Sequence, residues 1–141
     1  MTINQGPDSY HKNLGQQNLG EQEFFLVMKI VNEYFNGLYH GDVERLQAIF
    51  HRDAFLKAPG LRRSLDEWLS AVAQRPVPSE QGQPFEFKLL SIEVINDQAM
   101  VKLDCPLFDH TYIDFIGLLK ENGQWLIVNK MYTDLNGPEG M

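Results

Sequence analysis

The chain has 141 residues, 43% of them hydrophobic and 22% charged, and a formal net charge of -7. That length and composition support one domain with an ordinary core. The negative field repels phosphate backbones and no Lys/Arg stripe among aromatics reverses it, which excludes nucleic acid as a partner.

Residues 1–20 carry few large apolar side chains, namely Ile3, Tyr10, Leu14 and Leu19, and read as a polar tail. They hold no apolar run suited to a signal peptide or a membrane span, so a soluble, cytoplasmic protein without a membrane partner is expected. The single domain is expected over residues 21–135, with a short tail at 136–141. From Glu23 the spacing of Phe24, Met28, Val31, Phe35 and Leu38, widened by Val27 and Tyr34, predicts a long amphipathic helix. Gly41 suits the left-handed residue that ends it. Asp42 can then cap a second helix with Val43, Leu46, Ile49 and Phe50 on its inner face.

A short strand is expected around Ala54 to Lys57. After Ala58-Pro59-Gly60, the run Ser64-Leu65-Asp66-Glu67 is a capping box, in which Ser64 and Glu67 satisfy two orphan amides at the start of a third helix. Leu65, Trp68, Leu69 and Val72 face inward there, and Arg75-Pro76-Val77-Pro78 ends it. A loop runs to Pro84. Beyond it the period changes to two, predicting strands at 85–95, 98–106, 110–120 and 124–133 joined as an antiparallel meander. Turn residues Asn96-Asp97, Pro106 and Glu121-Asn122-Gly123 separate them. Helices first and strands later make this an α+β chain, and the concave face of a sheet curved over helices is the natural ligand site. Cys105, the one cysteine, cannot close an internal disulfide and reads as a small buried hydrophobe. No Cys/His spacing resembles a metal cage, so neither metal nor other cofactor is expected.

The last hairpin decides which side chains meet, because a shift of one residue reverses a strand's faces. A two-residue Asn122-Gly123 turn pairs Asp114 with Met131. A turn with Gly123 as a bulge residue pairs Asp114 with Lys130 and Tyr112 with Tyr132, and this register is favoured. It gathers Tyr112, Asp114, Lys130 and Tyr132 on one face and leaves Thr111, Ile113, Phe115, Trp125, Ile127 and Met131 on the other.

Two segments carry a resemblance: Tyr34-Phe35-Asn36-Gly37-Leu38-Tyr39-His40-Gly41-Asp42 running on to Phe50-His51-Arg52-Asp53-Ala54, and the hairpin from Thr111-Tyr112-Ile113-Asp114-Phe115 through Trp125 to Lys130. Together they resemble the nuclear-transport-factor-2-like superfamily and, within it, the putative lumazine-binding family, over roughly Glu21 to Asp134. The resemblance extends at the fold level to ketosteroid isomerase and SnoaL-like proteins. It implies a cone-shaped, curved antiparallel sheet wrapped around three N-terminal helices, as in cystatin-like folds. Compared with ketosteroid isomerase, the oxyanion-binding tyrosine falls on Tyr34 and the general base on Ala58, which accepts no proton; that activity is not expected. Pocket-facing positions fall on Val128, Lys130 and Tyr132, and Ile113-Asp114 is similar to the pair bearing the second oxyanion donor.

Several residues invite chemistry. Asp114 and Lys130, opposed on a half-buried face, either polarise a ligand's carbonyl, hydroxyl or carboxylate, or satisfy one another and fix register. Tyr34 offers a phenol donor or simply packs. His51 and Asp53 have general-base spacing, but local amide bonding is the more ordinary role. His110 beside Asp109 reads as a solvated turn. Trp68 with Phe50 and Phe55 form core or an aromatic wall. No residue is assigned a catalytic role.

The expected function is binding of an unidentified small apolar or aromatic ligand in an enclosed pocket, through Tyr34, Trp68, Tyr112, Asp114, Lys130 and Tyr132, with no assigned reaction. The alternatives are a lyase or isomerase using acid/base chemistry in the same pocket, and a dimeric interaction module. A homodimer is expected through the outer sheet face at Trp125, Ile127, Phe115 and Met131.

Overall fold

Local stop and start signals set the helical part of the chain, seen in a computed structural model that describes residues 7–137, with side chains described from residue 20 onward. Of the tails expected at 1–20 and 136–141, residues 1–6 and 138–141 lie outside the described residues. Helix α1 (Pro7–His40) begins inside the stretch read as a tail. Proline is well placed at a helix start, and a helix already nucleated adds residues at little cost. Its buried stripe is Val27, Val31, Tyr34, Phe35 and Leu38; Phe24, one turn earlier, is 45% exposed. Gly41 ends the helix at φ 58°, and the Asp42 side chain accepts from the Arg45 amide to start α2 (Val43–Gln47). Gly37 lets the two helices touch, since a Cβ there would lie 2.5 Å from Leu46.

Strands β1 (Phe50–Ala58) and β2 (Leu61–Ser64) form a hairpin that the apolar pattern did not reveal. Ser64 then closes the expected capping box, with Oγ accepting from the Glu67 amide and Glu67 accepting from the Ser64 amide at 2.8 Å. Helix α3 (Leu65–Gln74) buries Leu65, Trp68, Leu69 and Val72. A residue before proline is pushed out of helical conformation, and Arg75, preceding Pro76, takes ψ 164°. The loop after it runs to Phe87.

Strands β3 (Lys88–Ile95), β4 (Gln98–Leu107), β5 (His110–Glu121) and β6 (Gln124–Asp134) complete the meander. The six-stranded sheet has the order β2-β1-β6-β5-β4-β3, curved and unclosed, with only the β1–β6 pair parallel. Its concave side carries Val101, Leu103 and Cys105 of β4 opposite Ile116, Asp114 and Tyr112 of β5.

The β5–β6 register differs from both expected alternatives. Asn122 and Gly123 form a two-residue turn with positive φ at both positions, pairing Glu121 with Gln124 and Leu118 with Ile127. An extra residue, Val128, then interrupts the ladder, after which Gly117 pairs with Asn129, Ile116 with Lys130 and Asp114 with Tyr132. The bulge thus lies in mid-strand and not at Gly123. One inserted residue exchanges the two faces of a strand. Tyr112, Asp114, Lys130 and Tyr132 therefore share the concave side, although Asp114 is not directly opposite Lys130. For the same reason Trp125 and Ile127, expected on the outer face, turn inward and are 4% and 1% exposed. They cannot form part of a dimer surface. Met131, at 45% exposure, and Phe115 beside it remain outside.

Candidate functional site

Between α1, α3 and the concave ends of β4, β5 and β6 lies a cavity of about 100 Å³. Trp68, Tyr112, Asp114, Lys130 and Tyr132 line it together with Leu38, Arg63, Arg75, Cys105 and Leu107. Tyr34 stands behind Asp114, its hydroxyl donating to Oδ2 at 2.6 Å. The Lys130 ammonium lies 3.7 Å from the same oxygen and 4.4 Å above the Trp68 ring. The six residues singled out from sequence are thus neighbours in space. Helical spacing brings Tyr34 and Trp68 inward from α1 and α3, and strand alternation with the Val128 bulge brings the other four.

Burial governs the electrostatics. Asp114 and Lys130 are the two charged side chains among the described residues whose burial reaches that of the apolar core, at 2% and 6% exposure. Burial pushes the Lys130 ammonium below its usual range, opposed by the Asp114 charge. Tyr34 is driven well above the ordinary phenol range, first by burial and then by Asp114. Burial, reinforced by Asp114, also raises the Cys105 thiol and leaves it a protonated, inert lining group. At an effective dielectric near 20, the Lys130–Asp114 attraction is about 4 kcal/mol, comparable with the several kcal/mol lost on desolvating each ion. Coulomb attraction therefore offsets the burial without a large surplus, and the Tyr34 hydrogen bond and the Trp68 cation–π contact add to it.

The remaining candidates fall elsewhere. His51 Nδ1 and Asp53 Oδ1 lie 2.6 Å apart on β1, away from the cavity, with Asp53 76% exposed. His110 pairs with Asp134 at 2.7 Å instead of with Asp109, and its ring stacks on Tyr112. Phe50 packs 5.3 Å from Trp68, whereas Phe55 points outward at 45% exposure. Sequence reasoning missed Arg63 and Arg75. An arginine in a short strand and another in a proline-rich loop break no apolar pattern; the one available signal was the Arg75-Pro76 step, which turns that residue off the helix axis. Larger grooves, about 410 and 380 Å³, flank the β3–β4 hairpin, but no buried charged side chain lines them. Among the described residues no helix is long and apolar enough to cross a membrane, and no cluster of His, Cys, Asp and Glu is arranged to hold a metal.

Comparison with known proteins fits this geometry. Residues 22–133 match the model of a family described as putative lumazine-binding. No curated protein matches the sequence. Among solved structures, an NTF-2 like protein of unknown function from Silicibacter pomeroyi DSS-3 is similar, with TM-score 0.68 and 22% identity over 82% of this chain and 98% of that one. An NTF2-like protein of unknown function from Shewanella baltica OS155 has TM-score 0.71 and 18% identity over 80% and 94%. A de novo designed protein with a curved β-sheet reaches TM-score 0.57 and 15% identity over 80% and 98%. At these identities the likeness establishes the fold alone.

Proposed function

The chain belongs to the putative lumazine-binding family, with an NTF2-like fold, and on that premise we propose that it binds a small molecule in the cavity beneath α3, with no reaction assigned to the site. The observation carrying this reading is the convergence of buried polar groups, Asp114 and Lys130, with Trp68, Tyr112 and Tyr132 on one void. Charged groups converging on one void, with aromatic and aliphatic side chains completing its wall, are what a site for a polar small molecule requires. Sites enclosing drug-sized ligands measure ~300–1,000 Å³, so a cavity of about 100 Å³ fits a single ring or a fragment of that size. A pteridine-like compound, which the family description implies, exceeds the void as it stands.

The lyase or isomerase alternative has less support. The Tyr34 hydroxyl donates to Asp114 and is not free for a developing oxyanion, and Ala58 offers no carboxylate. We also propose that copies of the chain associate through the outer face around Phe115 and Met131, where Met100 is 55% exposed and Met131 45%.

Native mass spectrometry of the purified protein, followed by denaturation, tests the binding reading. The expected result is a discrete small-molecule mass that is released on unfolding and absent from Leu107→Trp, in which the larger side chain fills the void. A protein that is empty as purified and also fails to take up any member of a single-ring fragment set would overturn it.

A further inference from the structure

We propose that the ligand is bound as an anion, a small ring-bearing carboxylate held by Arg63, Arg75 and Lys130. This rests on the binding reading above and concerns the ligand's charge. The cavity wall holds three cationic side chains and a single carboxylate, Asp114. That carboxylate already accepts from Tyr34 and lies against Lys130. The two arginines have no carboxylate within ion-pair distance among the described residues, where the pairs formed are Arg45–Glu33, Lys120–Glu23, Lys130–Asp114 and two histidine–aspartate contacts. A local excess of positive charge in a chain of net charge -7 runs against the composition of the molecule.

The cations also oppose one another. Burial lowers the Arg75 guanidinium from its ordinary range; Tyr34, Tyr112 and Asp114 oppose that shift and Arg63 adds the smallest part of it, while Arg75 in turn disfavours the charged form of Lys130. Unpaired, partly buried like charges cost stability, and an anion seated between them removes the penalty. Guanidinium groups match a carboxylate's planar geometry, with two parallel N–H donors each. The ring is implied by the rest of the wall, where Trp68, Tyr112 and Tyr132 present aromatic surface and Leu38 and Leu107 apolar surface. A competing account of Arg75 is that a cation at the C-terminal end of α3 complements the helix dipole. That account gives Arg75 a stabilising role in the empty protein, whereas the anion account gives it a destabilising one.

The test is isothermal titration calorimetry at low chloride and fixed ionic strength, with benzoate, its neutral isostere benzamide, and inorganic phosphate, alongside thermal melting of the empty proteins. Benzoate is expected to bind at least about tenfold more tightly than either other probe. Arg63→Gln and Arg75→Gln should each weaken benzoate about tenfold or more, Arg75→Lys less, without lowering the Tm of the empty protein. Equal binding of benzamide and benzoate, insensitive to both substitutions, overturns the anion while the binding reading stands. Phosphate matching benzoate overturns the ring-bearing carboxylate. Failure of all three probes overturns the proposal, and the mass-spectrometric result then decides the binding reading separately. A Tm lowered by Arg75→Gln with unchanged benzoate affinity assigns Arg75 to the helix end and also overturns it.

Discussion

At Asp114, a hydrogen bond and an ion pair meet on one oxygen. Oδ2 accepts the Tyr34 hydroxyl at 2.6 Å and faces the Lys130 ammonium at 3.7 Å, all three side chains being almost fully buried. Removing Asp114, the shared partner, leaves Tyr34 and Lys130 desolvated and unpaired. Asp114→Ala is therefore expected to cost about 3–5 kcal/mol by chemical denaturation. The double variant Asp114→Leu/Lys130→Met, which removes both charges and keeps volume, should recover most of that loss. A double variant as unstable as Asp114→Ala would show that the cost is one of packing. Tyr34 was legible in the sequence because it lies on the apolar stripe of α1, and Asp114 and Lys130 because a bulged register, supported by the resemblance to ketosteroid isomerase, was expected to put them on one face. Arg63 and Arg75 were not, since their place depends on how β2 and the loop after α3 pack, which periodicity does not encode.

The β5–β6 hairpin brings Tyr112, Asp114, Lys130 and Tyr132 to one face, as expected, through a pairing that was not. The turn residues Asn122 and Gly123 adopt the two-residue geometry their positive φ values favour, and the Val128 bulge restores the facing that a bulge at Gly123 had been expected to supply. Bulges in mid-strand leave no composition signal, so the inward turn of Trp125 and Ile127 was not readable. The same hairpin is tied to α1 by Glu23, which accepts from Trp125 Nε1 at 2.6 Å and Lys120 Nζ at 2.9 Å. The Lys120 and Trp125 hydrogen bonds hold the Glu23 carboxyl below its ordinary value of 4.5. Because its folded pKa is depressed, the stabilisation is fully present above 4.5 and is lost as pH falls through the folded value. Melting curves should show a decline in Tm below pH 4.5 that is shallower in Glu23→Gln, whose Tm at neutral pH is already lower. An equally steep decline in the variant would assign acid sensitivity to other carboxylates.

At the scale of the molecule, helices followed by a meander were legible because the change of period from 3.6 to 2 is abrupt near Phe85. The β1–β2 hairpin, whose second strand of four residues carries no apolar alternation, and the parallel β1–β6 pairing, a long-range consequence of packing, were not. The outer face keeps Met100, Phe115 and Met131 but loses Trp125 and Ile127 to the core. Met131→Glu is expected to halve the sedimenting mass while leaving the Tm of the monomer within about 0.5 kcal/mol of equivalent stability, as befits an exposed position. Trp125→Glu should instead unfold the chain. An unchanged mass for folded Met131→Glu would count against association through this face.

The Tyr34–Asp114 bond spans 80 residues of chain, and the ties from Glu23 to Lys120 and Trp125 span 97 and 102. Synthesis therefore finishes almost the whole domain before any of these partners can meet. Closing such long loops is slow and is rewarded only when the last hairpin docks on the first helix. The cavity accordingly requires both ends of the domain, since its walls come from α1 and α3 as well as from β4, β5 and β6. A ligand of the proposed kind would bind the finished protein alone and stabilise it by mass action.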